Sequence, residues 1–268
     1  MNKENDQVMA IEINKLTKTY PGRVALNEIS FTVKKGSVHG FLGPNGAGKS
    51  TTMKILSGLI PATSGEYVVN GKVGFLPEHP PVYPNMSVED YLQFVFEIYS
   101  PQSSTKNAVY DVIEKTGLSN VKERLIGNLS KGYQQRVGIA QAIVHSPEII
   151  ILDEPTVGLD PVAIAEIREL IKKLKNDHTI LFSTHQLHDV ELLCSDITLI
   201  NRGEVVVSGA LESILESLRT RMIIHARVLA FCEVDKKKIM EQFNLESLEF
   251  YFDHEKKEFV LKIEAKSS

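Results

Sequence analysis

The stretch of this chain with the most pointed chemistry is Gly43-Pro44-Asn45-Gly46-Ala47-Gly48-Lys49-Ser50-Thr51, which fits G-x-x-x-x-G-K-[ST] between an apolar run and a helix-like segment. Glycines let backbone N–H groups converge on phosphate oxygens, and the helix N-terminus behind them adds a favourable dipole. Lys49 then reaches the β- and γ-phosphates of a nucleotide, while the Ser50 hydroxyl offers a hard oxygen to Mg2+. A second constellation, Asp153-Glu154, ends the apolar run Ile149-Ile150-Ile151-Leu152. Carboxylates at the C-terminal end of a parallel strand sit where open α/β sheets bind ligands. Asp153 can hold Mg2+, usually through water, because a hard dication prefers oxygen. Glu154 can orient or deprotonate the water that attacks a terminal phosphoryl group. An acidic pair after a strand would alone read as a solvated turn; behind a phosphate loop it reads as chemistry.

These groups need a scaffold, and the pattern along the chain supplies one. Met9 to Ile13 and Ile29 to Val33 alternate as strands, and after a turn at Lys34–Ser37 the run Val38–Leu42 suits a buried strand. From Pro84 to about Ala142 the periodicity is helical, with a capping-box-like start at Ser87 and Asp90 and a break at Pro101–Ser104. Ile149–Leu152 and Thr179–Ser183 read as buried strands, Val162–Leu174 as the helix between them, and Ile197–Ile200 with Glu204–Val207 as a hairpin about Asn201-Arg202-Gly203. Strands alternating with helices argue an α/β fold with a largely parallel sheet. After Gly209 the character shifts. A helix at Leu211–Leu218, a strand at Met222–Leu229, a helix whose Lys236–Lys238 form a solvated face, and two alternating runs follow. Leu248, Phe250 and Phe252 share one face of the first run, and Phe259, Leu261 and Ile263 one face of the second. The expected organisation is a domain over 8–210 and a small C-terminal α+β extension over 211–268.

Composition agrees with a globular fold. The chain has 268 residues, with 30 basic against 34 acidic side chains for a net charge of −4. With 43% hydrophobic residues, disorder is not the dominant state, and nothing in the charge balance favours a nucleic-acid partner. Two cysteines, Cys194 and Cys232, are too few for a disulfide framework, which points to a reducing, cytoplasmic setting. The longest span-like segment, Met222–Cys232, is interrupted by His225 and Arg227, and the polar start of the chain carries no apolar signal region. The expectation is a chain that neither spans a membrane nor is secreted.

The octapeptide Leu129-Ser130-Lys131-Gly132-Tyr133-Gln134-Gln135-Arg136, ahead of Asp153, resembles the LSGGQ signature of ATP-binding-cassette (ABC) transporter nucleotide-binding subunits, and the likeness runs from about residue 9 to 209. Lys131 replaces the motif's first glycine and Tyr133 its usual glutamine. The resemblance implies a P-loop NTPase fold with a RecA-like, mostly parallel sheet core, an antiparallel β subdomain and a helical subdomain over about 84–136. It implies that Ser130 and the Gly132 N–H bind the γ-phosphate of ATP held by another subunit, and that Tyr20 stacks on adenine. It further implies that His185 contacts the γ-phosphate and that Asp160, in Gly158-Leu159-Asp160-Pro161, touches the partner subunit. His185 and His188 are not read as a metal pair. Glu78 stands where the family usually has a glutamine that senses Mg2+; it can still offer oxygen to the metal but adds negative charge near the phosphates. Pro77-Glu78-His79 resembles gliding-motility-type ATPases, and the short segment between Lys49 and Glu78 implies a trimmed antiparallel region.

The family would make this chain an ATP-hydrolysing subunit of a bacterial exporter, using ATP and Mg2+. It would pair as a homodimer or with a related ATPase subunit, and would work at the cytoplasmic face of the membrane on a separate multi-span permease. Tyr91, Phe94, Val95, Phe96 and Ile98 are candidates to line the groove that receives that permease, with simple core packing the equal alternative for each. Two other readings stay open: a soluble ABC ATPase acting as a regulatory or repair switch, and a weak-turnover ATP-binding module, motivated by Glu78.

Overall fold

Two long antiparallel strands, β1 (Met9–Tyr20) and β2 (Arg23–Lys34), lead the fold. Both exceed the stretches that alternate in sequence. The reason is the register shifts between Ile13 and Thr19, beside Lys15 at φ +49°, which rephase the strand so that its buried residues no longer fall on every second position. The structure is a computed structural model and describes residues 8–99, 105–219, 222–227, 245–253 and 258–265. The chain divides between Gly209 and Ala210 into two compact units.

In the first unit, β4 (Ser64–Val69) joins β1 to give a three-stranded antiparallel sheet ordered β2-β1-β4. The larger sheet is built from β3 (Val38–Leu42), β5 (Val73–Leu76), β6 (Ile149–Asp153), β7 (Thr179–Thr184), β8 (Asp196–Asn201) and β9 (Glu204–Ala210), in the order β5-β6-β7-β3-β8-β9. The pairings β5–β6, β6–β7, β7–β3 and β3–β8 are parallel. Every residue of β6 and β7 is buried, as continuous apolar runs require when both faces of a sheet are covered.

The alternation of those strands separates two cores. Ile150, Leu152, Ile180 and Phe182 face a helical layer, while Ile149, Ile151 and Leu181 face α1 (Lys49–Leu56) and the antiparallel sheet. The helical layer comprises α2 (Val88–Tyr99), α3 (Thr105–Lys115), α4 (Lys131–Ile143), α5 (Pro161–Leu174) and α6 (Leu187–Leu193). At the start of α2 the Asp90 N–H donates to Ser87 Oγ at 3.1 Å, and the Ser87 hydroxyl donates to the Asp90 carboxylate at 2.6 Å. The capping box is thus closed through the hydroxyl, within reach of the shorter acid.

Two expectations need correction. The helical stretch is not continuous to Ala142: residues 116–130 run as turns with one short 3-10 helix, Ile126–Asn128. Of the five residues weighed between a docking groove and the core, Tyr91, Val95 and Phe96 are buried in the helical core, and Phe94 and Ile98 are exposed. The apolar stripe of α2 is wider than a surface groove needs because it anchors the helix to α3 and α4. The break at Pro101–Ser104 lies outside the described residues. No helix among the described residues is long and apolar enough to cross a membrane.

The second unit contains α7 (Leu211–Arg219) and an antiparallel sheet of β10 (Met222–Arg227), β11 (Leu245–Asp253) and β12 (Glu258–Ala265), ordered β10-β12-β11. Phe250 pairs with Leu261, Phe252 with Phe259 and Leu248 with Ile263, so the two alternating runs stand opposite each other in register. The lysine-rich helix at Lys236–Lys238 and Cys232 lie outside the described residues.

Candidate functional site

At the C-terminal tips of β3 and β6 the chain forms a cleft of about 480 Å3, lined by Tyr20, Arg23, Ala25, Asn45, Gly46, Gly48, Lys49, Ser50, Thr51, Glu78, Glu154, Val157 and His185. The loop 43–48 reaches it because two of its glycines allow contacts that no side chain could share. A Cβ on Gly43 would lie 2.3 Å from the Ile200 carbonyl oxygen. Gly48, at φ +113°, would place one 2.6 Å from Leu26. Behind the loop, α1 starts at Gly48 with no side-chain cap and no acidic residue in its first turn, so its leading N–H groups stay available to an anion.

Lys49 is almost wholly buried, and its Nζ donates to the carbonyls of Gly43 at 2.8 Å and Pro44 at 3.2 Å. It also pairs with Glu154 Oε1 at 3.0 Å. The other carboxylate oxygen of Glu154 meets His185 Nδ1, again at 3.0 Å. Glu154 therefore joins the phosphate loop to the segment after β7. Its backbone is left-handed, at φ +50°, an uncommon conformation for a side-chain-bearing residue and one that strained functional positions collect.

Asp153 sits one residue earlier, with Oδ1 accepting from Ser50 Oγ at 3.2 Å and from Ser183 Oγ at 2.6 Å. The Ser183 oxygen accepts in turn from the Glu154 N–H at 2.9 Å. Among the described residues no three His, Cys, Asp or Glu side chains gather into a metal cage. The donors present are the hydroxyl of Ser50 and the carboxylate of Asp153, with exposed Glu78 on the cleft wall. Such a sparse all-oxygen set fits Mg2+, which keeps several waters and shares substrate phosphates rather than filling a protein cage.

The remaining sequence-assigned residues divide into two groups. Tyr20 lines the cleft, with Lys18 Nζ 5.2 Å from its ring centroid. Pro44 and Gly43 meet Lys49 through their carbonyls, and Ala47 is buried beneath the loop with its N–H donating to Pro44. Ser130, Gly132 and Asp160 do not line this cleft. Ser130 caps α4, its Oγ accepting from the Tyr133 N–H at 3.5 Å. Asp160 caps α5, accepting from the N–H groups of Val162 and Ala163 at 3.0 Å each. A Cβ on Gly132 would stand 2.9 Å from that of Ala163, so the starts of α4 and α5 are side by side.

Sequence reading missed Arg23, Ala25 and Val157 on the cleft wall, and Ser183 beneath it. Arg23 Nη2 donates to the Gly46 carbonyl at 2.9 Å and so props the phosphate loop. Its signal in the sequence was its place directly across the turn from Tyr20, with which it pairs. Ser183 gave no signal, because a serine inside a buried strand reads as an ordinary core position.

Residues 26–157 match the family profile described as ABC transporter. The lantibiotic transport ATP-binding protein SrtF of Streptococcus pyogenes is 40% identical over 207 residues, covering 74% of this chain and 89% of that protein. The bacitracin transport ATP-binding protein BcrA of Bacillus licheniformis is 38% identical over 210 residues, covering 73% of this chain and 68% of that protein. Among solved structures, the dimeric post-hydrolysis state of the ATP-binding cassette MJ0796 bound to ADP and Pi aligns with a TM-score of 0.68 at 25% identity, over 75% of this chain and 98% of that one. The chain belongs to the ATP-binding subunits of the ABC transporter family, and its fold is that of an ABC ATPase cassette. It binds and hydrolyses ATP, the chemistry that defines these cassettes.

Proposed function

We propose that this chain powers an exporter as its ATP-hydrolysing subunit, with two cassettes closing on ATP and driving a separate membrane-spanning protein from the cytoplasmic face of the membrane. The observation that carries the reading is the placement of one carboxylate, Glu154, 3.0 Å from the phosphate-loop lysine and 3.0 Å from His185. The names of SrtF and BcrA, lantibiotic and bacitracin transport ATP-binding proteins, support a transport role. Exposed Tyr83, Phe94 and Ile98 on and before α2 supply an apolar surface for a membrane partner.

In this mechanism the loop N–H groups and Lys49 hold the β- and γ-phosphates, and Tyr20 stacks on the adenine ring. Glu154 accepts a proton from a water as its oxygen bonds to the γ-phosphorus and the bond to the β-phosphate oxygen breaks. His185, held to Glu154 through Nδ1, fixes the carboxylate's orientation and faces the same phosphoryl group. Ser50 and Asp153, with Glu78 beside them, would hold Mg2+, which when bound neutralises charge on the phosphoryl oxygens. Ser130 and the Gly132 N–H, at the uncapped-by-acid start of α4, would close over the γ-phosphate bound by the second cassette, with Asp160 beside them at the seam.

Glu154→Gln tests the assignment. Steady-state hydrolysis should fall by about 100-fold or more, the usual contribution of a general base, while ATP binding persists. Unchanged turnover would remove Glu154 from its role.

A further inference from the structure

Beneath the cleft lies a buried ionic cluster that the mechanism above does not use. Asp189, in the first turn of α6, is 1% exposed. One of its carboxylate oxygens accepts from Arg168 Nε at 2.7 Å and from Arg168 Nη2. The other accepts from Thr156 Oγ1 at 2.9 Å and from Thr184 Oγ1 at 3.3 Å. Thr184 Oγ1 in turn accepts from the N–H of Gln186 at 3.0 Å. The four donors come from four separate places in the fold: the loop after β6, the end of β7, the middle of α5 and the turn into α6.

Their sequence positions give the cluster its meaning. Thr156 is two residues after Glu154, and Thr184 and Gln186 flank His185 on either side. Arg168 lies on the helix that Asp160 caps. One carboxylate therefore ties down the loop that presents Glu154, the segment that presents His185, and the helix whose start faces α4. Burying an ion pair is a poor route to stability, since apolar residues of equal volume often do as well or better. What an arginine donating two N–H groups to one carboxylate oxygen, with two hydroxyls on the other, supplies is fixed relative geometry. The contact that needs such fixing is adjacent: Glu154 Oε2 to His185 Nδ1, a bond between two side chains on different loops.

We propose that Asp189, acting with Arg168 and Thr156, is a positioning residue for ATP hydrolysis, holding the Glu154 and His185 loops in the register that chemistry requires. The proposal rests on the roles given above to Glu154 and His185. It predicts that loosening the cluster impairs turnover rather than nucleotide binding, because Lys49, Ser50 and the loop N–H groups stand on β3 and α1, outside it. A displacement of about 1 Å at a reacting group is enough to cost on the order of 100-fold in rate.

The test uses the full chain, with Thr156→Val as the main variant because it removes one hydroxyl while leaving the Arg168–Asp189 pair and the side-chain volume. ATP affinity should stay within about twofold of the parent and kcat should drop by about tenfold or more, with Thr156→Ser restoring most of the loss. A neutral pair, Asp189→Asn with Arg168→Gln, keeps a hydrogen-bonded contact without buried charge, and a lowered kcat at an unchanged urea midpoint is expected there as well. The proposal is overturned if Thr156→Val turns over at the parental rate, or if kcat, ATP affinity and the urea midpoint decline together and serine fails to rescue. E154Q measured alongside separates the two levels of failure. If E154Q is inactive while Thr156→Val is fully active, only the positioning role fails; if E154Q itself keeps parental turnover, the reading of the site and the proposal built on it fall together.

Discussion

Two side chains show how far burial governs chemistry at the scale of a residue. Lys49 has so little contact with water that its charge must be met from within, by Glu154 and by two loop carbonyls. Lys49→Ala removes the cation that the phosphates would take, and ATP affinity should weaken by about 100-fold or more in a fluorescent-nucleotide titration. His39 in β3 has the opposite problem. Burial pushes its imidazole down from 6.5 to about 4, against a raising influence from Asp196 and with a lowering one from Lys34. Its Nε2 is bonded to Thr198 Oγ1 at 2.9 Å, and its buried Nδ1 has no partner. The unfolded chain therefore takes up this proton first, and stability that is complete above pH 6.5 declines as the pH falls toward 4. The loss over that window is about 3 kcal/mol. His39→Leu, which leaves Thr198 its bond to Ser208 at 2.7 Å, should flatten this part of a urea-midpoint profile across pH.

Element by element, legibility in the sequence followed the distance over which a pattern acts. β6 and β7 are plain because uninterrupted apolar runs bounded by turns leave few alternatives; α5 is read from Val162, one residue late, although Asp160 and Pro161 mark its start. The full lengths of β1 and β2 were hidden, since their bulges break the period of two on which strand reading depends. The loop between α3 and α4 was hidden too, its buried Leu118, Val121 and Ile126 imitating helical spacing while serving a turn. The phosphate loop and its acidic pair could be read because their motif is contiguous. The Asp189 cluster could not, because its members are scattered from Thr156 to Asp189 and meet only after folding. Helix-on-sheet packing is likewise invisible in one dimension. α4 rests on β5 so closely that a Cβ on Gly74 would lie 1.9 Å from the Ala142 carbonyl oxygen. Gly74→Ala must push the helix away, and a drop in stability of about 1–3 kcal/mol is expected in chemical denaturation.

For the molecule as a whole, the decisive arrangement is that Ser130, Gly132 and Asp160 cluster at the starts of α4 and α5 while Lys49, Ser50 and Glu154 gather around the cleft. A phosphate bound in the cleft is not met by the first group within the same cassette, which is the physical case for a second cassette. In an E154Q background with MgATP, the chain should sediment as a dimer. Adding Ser130→Asp should return it to monomers without loss of ATP binding, because aspartate caps a helix as well as serine does but sets a negative charge against the γ-phosphate. The Lys49–Glu154 pair bears on the same event. Glu154 Oε1, 3.0 Å from Lys49 Nζ, is an anion set against the same ammonium that the β- and γ-phosphates would claim. A triphosphate seated on the loop would be a second anion competing with Glu154 for one buried cation, so nucleotide binding and the position of the hydrolytic carboxylate are electrostatically joined.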